Sequence, residues 1–204
     1  MNAFAKDPLI SVDDTNVTGD VTLNNADKAE QILDSMEKRY EEEGDRRVMP
    51  DFISYSTVIN AHANSNSPEC GIRADSILRR MTNRYLLGDA KCRPNAIAFT
   101  AAIKAHSASI NATISAHEGG ESTGESKDCT KQQIEVSARR CEDLLQQLCL
   151  MYQSYGNDRS LKPTSVTFEL AIRALTQAED WNGAERANML RSEMIDVGKV
   201  NRPG

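Results

Sequence analysis

The sequence predicts an all-α fold, a solenoid of stacked helix–turn–helix repeats, and two recurring signatures carry the prediction. The first is PDFISYSTVINAHA from Pro50, PNAIAFTAAIKAHS from Pro94 and PTSVTFELAIRALT from Pro163. Each opens on proline and a small polar residue, places an aromatic five residues after the proline (Tyr55, Phe99, Phe168) and an Ile four residues later (Ile59, Ile103, Ile172). The second is Ala29-x-x-Ile32-Leu33-x-x-Met36, which recurs as Ala74-x-x-Ile77-Leu78-x-x-Met81, as Cys141-x-x-Leu144-Leu145-x-x-Leu148 and more loosely as Ala187-x-x-Leu190-x-x-x-Met194. Both signatures repeat at i, i+3, i+4 and i+7, one stripe of an α-helix. A repeat is therefore two amphipathic helices, A and B. No single hairpin buries both stripes, so neighbours must stack.

Taken in order, residues 1–25 are polar, acidic and without a helical stripe, and read as a disordered leader. Residues 26–51 form a half repeat: a B helix over 26–43 with Glu41-Glu42-Glu43 as its solvated tail and Gly44 as a C-cap. Full repeats follow over 52–95, 96–164 and 165–204, with A helices at 53–64, 97–108 and 166–178. The matching B helices fall near 26–42, 70–86, 134–154 and 181–197. The middle repeat is swollen by residues 110–132, whose Gly, Ser, Thr and Glu content reads as a flexible surface insertion. Trp181 is expected to pack at the turn of the last repeat.

Composition narrows the function classes. No apolar run approaches the ~20 residues of a membrane span. Five cysteines without a CxxC pair read as free thiols in a reducing compartment. The charge is unevenly spread: residues 1–51 hold 6 Lys and Arg against 13 Asp and Glu, whereas residues 52–204 hold 18 against 17. The repeats are thus near neutral, not the basic footprint of a strong nucleic-acid binder. His62 and His106 end equivalent A-helix stripes, which points to a structural role. Asp13-Asp14 has no further ligands beside it, and Cys141 and Cys149 have no partner His. Neither a metal nor a cofactor is expected, and no nucleophile stands beside a base, so no catalysis is expected.

An aromatic near the start of helix A, Ala…Met along helix B and Pro-Asp or Pro-Asn at the junction resemble the pentatricopeptide repeat family. The strongest match is residues 50–107, and the resemblance covers roughly 26–204 less the insertion. It implies a right-handed superhelical solenoid that binds single-stranded RNA, one base per repeat. In that family the fifth residue of helix A and the last residue of the repeat face the base, and the second residue of helix A clamps it. The resemblance then makes Ile53, Ile97 and Val166 clamps. It makes Ser56 with Asn95, Thr100 with Thr164, and Glu169 with Gly204 the readers. A hydroxyl with Asn resembles the adenine-reading combination, since an amide both donates and accepts. Lys104 and Arg173, one turn further on, are placed to touch phosphate. RNA processing or organelle gene expression, in a mitochondrion or plastid, is the setting implied, although the N-terminal residues lack the Arg-rich composition of a transit peptide.

Two alternatives stand beside that reading. Ile53, Ile97 and Val166 also suit a core between repeats. The near-neutral repeats and Glu169 also suit a protein–protein scaffold that binds a peptide or partner helix on its concave face.

Overall fold

The computed structural model describes residues 24–118, 124–178, 183, 185–190 and 192. Among them every regular element is helical and no strand occurs. Six helices appear in order: α1 (Asn25–Glu42), α2 (Phe52–Ala63), α3 (Cys70–Leu86), α4 (Ala96–Glu118), α5 (Gly124–Ser154) and α6 (Ser165–Gln177). Residues 185–190 are helical as well.

The A helices start where their caps dictate. The small polar residue after each proline is the N-cap: Asp51 accepts from Ser54 N, Asn95 from Ala98 N and Thr164 from Thr167 N. Each cap satisfies an N–H that the helix leaves without a partner, worth about 1 kcal/mol. The three B helices α1, α3 and α5 end at glycines with positive φ, Gly44, Gly88 and Gly156, a conformation that carries no steric penalty without a Cβ. Each glycine leads into a 3-10 turn, Arg46–Val48, Ala90–Cys92 and Arg159–Leu161, and then into the proline.

Packing follows the repeat. Each helix touches its sequence neighbour, and the A helices touch one another, α2 on α4 and α4 on α6. Tyr55, Phe99 and Phe168 are all buried at equivalent places. Between them lie Ile77 and Met81 of α3, and Leu144 and Leu148 of α5, each without solvent exposure. Ile32 is the exception at 63% exposed, because no helix precedes α1 among the described residues to cover it.

Two sequence expectations need correction. The loop expected over 110–132 is helical on both flanks: residues 110–118 extend α4 and 124–132 begin α5. Ile110 and Thr113 are buried and Ile114 packs on the core, so the i, i+3, i+4 stripe of α4 simply continues. The sequence also leads one to expect Arg79-Arg80 and Arg139-Arg140 on solvated B-helix faces, yet Arg80 and Arg140 are bound to the preceding B helix. Arg80 pairs with Asp34 and Glu37 of α1, and Arg140 with Asp75 of α3 at 2.7 Å. The expected leader lies largely outside the described residues, as do Trp181 and Gly204. Asn24 and Asn25 belong to the cap and first turn of α1.

The B layer is joined by a repeated ion pair. The Arg just before the small residue of one B helix meets the acid just after the small residue of the B helix before it: Arg73 with Glu30 at 3.3 Å, Arg140 with Asp75, and Arg186 with Glu142. Buried His62 and His106 reach the same acids from the A layer, at 2.9 Å from Glu30 and 3.3 Å from Asp75. His106 Nε2 stands close to Asp75 without making a hydrogen bond among the described residues. Burial raises the Asp75 carboxyl, but His106 and Arg140 outweigh it and hold the group below its ordinary value of 3.8. Its folded value is depressed, so its stabilisation is complete above about 4 and drains away as pH falls through the lower folded value. Asp75→Asn should therefore lower the melting temperature at neutral pH and flatten its decline below about pH 4; an unchanged acid slope would contradict the assignment.

His106 also explains Gly71. A Cβ built there would stand 2.5 Å from His106 Nδ1 and 2.9 Å from its Cγ and Cε1. The ring is buried, so giving way to a methyl group would disturb its packing. Gly71→Ala should cost about 1–3 kcal/mol in chemical denaturation despite the higher helix propensity of alanine. A stabilised variant would show that the ring moves freely.

Candidate functional site

The face built by α2, α4 and α6 holds a groove of about 640 Å³. The N-caps set the phase of these helices, and that phase turns one equivalent face of each helix into the groove. Ile53, Ser56, Ile97, Thr100, Lys104, Thr164 and Val166 all line it. Seven residues singled out from the sequence thus come together. Phe52, Thr57, Asn60, Ala96, Ala101 and Leu170 complete the lining.

The aliphatic positions decide between two readings of the sequence. Ile53 is 58% exposed, Ile97 64% and Val166 54%. They are not core: each A helix presents one aliphatic side chain to solvent at its second position. The core is formed instead by the aromatics two residues further on.

The polar positions differ from one another. Ser56 is 93% buried, being 7% exposed, and its Oγ has no hydrogen-bond partner among the described residues. Such a buried orphan hydroxyl costs about 1–3 kcal/mol until something binds it. Asn95 does not line the groove but stands beside Ala96 and Ile97, which do. Its Oδ1 is taken by Ala98 N at 3.1 Å as the α4 cap, so the amide nitrogen is the polar atom of this half-buried side chain not used by the cap. Thr100 and Thr164 are already engaged. Both hydroxyls meet Thr167 Oγ1 at 2.9 Å, a threonine chain that ties α4 to α6.

Lys104 is the single charged residue of the lining, and its Nζ donates to Asn64 Oδ1 at 2.7 Å. Glu169 and Arg173 are exposed on α6 and lie outside the lining. Their place matches that of Ser56 and Asn60 on α2, which face the next A helix. No A helix follows α6 among the described residues. The groove is therefore apolar with a weak positive charge.

Sequence reasoning missed the 3-10 turns along the groove's edge. They share the pattern Asp-x-x-apolar-x-Pro, with Asp45, Asp89 and Asp158 opening and Val48, Cys92 and Leu161 as the apolar member. Each turn carries two cations: Arg46 and Arg47, Lys91 and Arg93, Arg159 and Lys162. The signal was the fixed spacing of Asp five residues before each of the three prolines.

Elsewhere the described residues hold no group of three or more His, Cys, Asp and Glu side chains placed to bind a metal ion. No helix among them is long and apolar enough to cross a membrane. Burial pushes the Cys70 thiol up to about 11 and the Cys141 thiol higher still, so neither is a thiolate at neutral pH. Comparison with protein-family models, with curated proteins and with solved structures returns no match.

Proposed function

We propose that this chain forms a right-handed superhelical solenoid of the pentatricopeptide type, whose groove binds single-stranded RNA with one base at each junction between neighbouring A helices. The observation that carries the reading is the exposed aliphatic at the second position of α2, α4 and α6. A flat base between two such side chains removes apolar surface from water on both faces, at about 25 cal/mol per Å². At the α2–α4 junction Ile53 and Ile97 flank the base, and Ser56 with Asn95 reads its edge. At the α4–α6 junction Ile97 and Val166 flank, and Thr100 with Thr164 reads. The second junction discriminates less, because its hydroxyls already have partners. Lys104 touches phosphate; Glu169 and Arg173 lie outside these two junctions.

The first junction prefers adenine. The Ser56 hydroxyl donates and accepts, and the Asn95 amide donates toward an acceptor on the base. Two junctions supply little affinity, so binding is weak and salt-sensitive.

A second reading rests on the groove's apolar lining and single charge: a peptide or helix seated in the same place. Titration with short single-stranded oligoadenylate and oligouridylate at low salt separates the two. Saturable binding with oligoadenylate ahead supports the RNA reading. Absence of RNA binding, with an apolar peptide bound instead, overturns it.

A further inference from the structure

We propose that the three 3-10 turns form a phosphate-binding edge beside the groove, which holds the backbone of the same single-stranded RNA whatever its sequence. This rests on the RNA reading of the groove and adds to it a sequence-independent anchor. The turns are contiguous. Cys92 Sγ donates to Pro50 O at 3.2 Å, joining the second junction to the first. Arg93 Nη1 donates to Asp158 at 2.9 Å, joining the second to the third. Residues just past each proline line the groove: Phe52 and Ile53, Ala96 and Ile97, Thr164 and Val166. The edge thus follows the groove on the side where the bases would sit.

Charge along the edge is arranged in one sense. The three turn acids are already engaged: Asp45 by Arg39 and Arg47, Asp89 by Arg84, and Asp158 by Arg93 and the Ser160 amide. Asp51, beside the first turn, caps α2. Arg46, Lys91 and Arg159 are exposed and make no ion pair among the described residues. Each turn thus carries an exposed unpaired cation, with the half-buried Lys162 a second on the third turn, beside one exposed aliphatic per repeat, which suits a polymer with one phosphate per base. The near-neutral charge of residues 52–204 conceals this, because it sums these cations with acids such as Asp75 and Glu142 that are paired within the B layer.

The test is the triple substitution Arg46→Gln, Lys91→Gln, Arg159→Gln in the full chain, with oligoadenylate and oligouridylate titrated across a salt series. Each phosphate contact on a single strand contributes about 0.7 to the slope of log affinity against log salt. The variant's slope should be shallower by about 2, with the ratio between the two RNAs and the melting temperature unchanged. An unchanged slope, while the unmodified protein binds RNA, overturns the edge and leaves the groove reading intact. Loss of the base ratio together with the slope also overturns it, since the edge would then be reading bases. No binding of either RNA by the unmodified protein overturns both. Should the triple variant fail to fold, Lys91→Gln alone is expected to flatten the slope by about 0.7, and no change would count against the edge.

Discussion

Phe99→Ala should destabilise the chain by about 3–5 kcal/mol, the largest effect of any single substitution considered. Phe99 is 1% exposed. It sits on α4, which touches α2, α3, α5 and α6 and so joins the repeats on either side. Truncation removes the ring's transfer energy and leaves a cavity that four helices border. Those helices are fixed to one another by the ion pairs of the B layer and by the Thr100–Thr164–Thr167 chain, so they cannot collapse into the space. A loss of this size is a large part of the roughly 5–15 kcal/mol that holds a domain folded. Urea denaturation measures it, with Leu87→Ala as control. Leu87 is 87% exposed, and its removal should change stability by no more than about 0.5 kcal/mol. A loss below about 1 kcal/mol for Phe99→Ala would mean that the aromatic row is not the core that joins the helices.

The helices were largely legible from sequence because their signal is periodic. Tyr55, Phe99 and Phe168 mark the A helices, and the Ala74…Met81 stripe and its relatives mark the B helices. The cap residues were legible too, but with a different role in view. Asn95 and Thr164 were read for what they offer a base, whereas their first task is to accept the N–H groups that open α4 and α6. The extension of α4 and α5 was hidden by composition: Gly119 and Gly120 with the surrounding Ser and Thr outweighed Ile110 and Ile114, which continue the stripe. The ladder of Arg73, Arg140 and Arg186 was invisible for another reason. It joins residues more than 40 positions apart, Arg73 to Glu30 and Arg140 to Asp75, and nothing local distinguishes those arginines from solvated ones. The cationic edge escaped because its turns are too short for periodicity. In the candidate site, the aliphatic row came from the family resemblance. Its exposure, which excludes the core alternative, required the packing of α2 against α4.

Asn95→Asp is the second large effect, and it addresses the groove itself. Aspartate caps a helix as well as asparagine, and Asp51 holds the same place at α2. The substitution therefore leaves the fold intact and changes only what the junction presents. The Asn95 amide nitrogen donates. A carboxylate only accepts, so it opposes the ring-nitrogen acceptor of adenine and favours the paired donors of guanine. One well-placed base contact is worth about 1–3 kcal/mol. The variant should bind adenine less tightly by that amount and gain for guanine, a reversal of preference.

The most direct measurement is thus a titration of two single-stranded RNAs that differ only at one base, adenine or guanine, against the unmodified protein and Asn95→Asp. The base must stand at the Ser56–Asn95 junction, so the flanking sequence is kept constant and the site is walked along the strand. Adenine ahead in the unmodified protein, and guanine ahead in the variant at the same register, is the predicted result. RNA binding with an identical preference in both proteins would contradict the reading role of Asn95, and no RNA binding by either would contradict the groove's assignment to RNA.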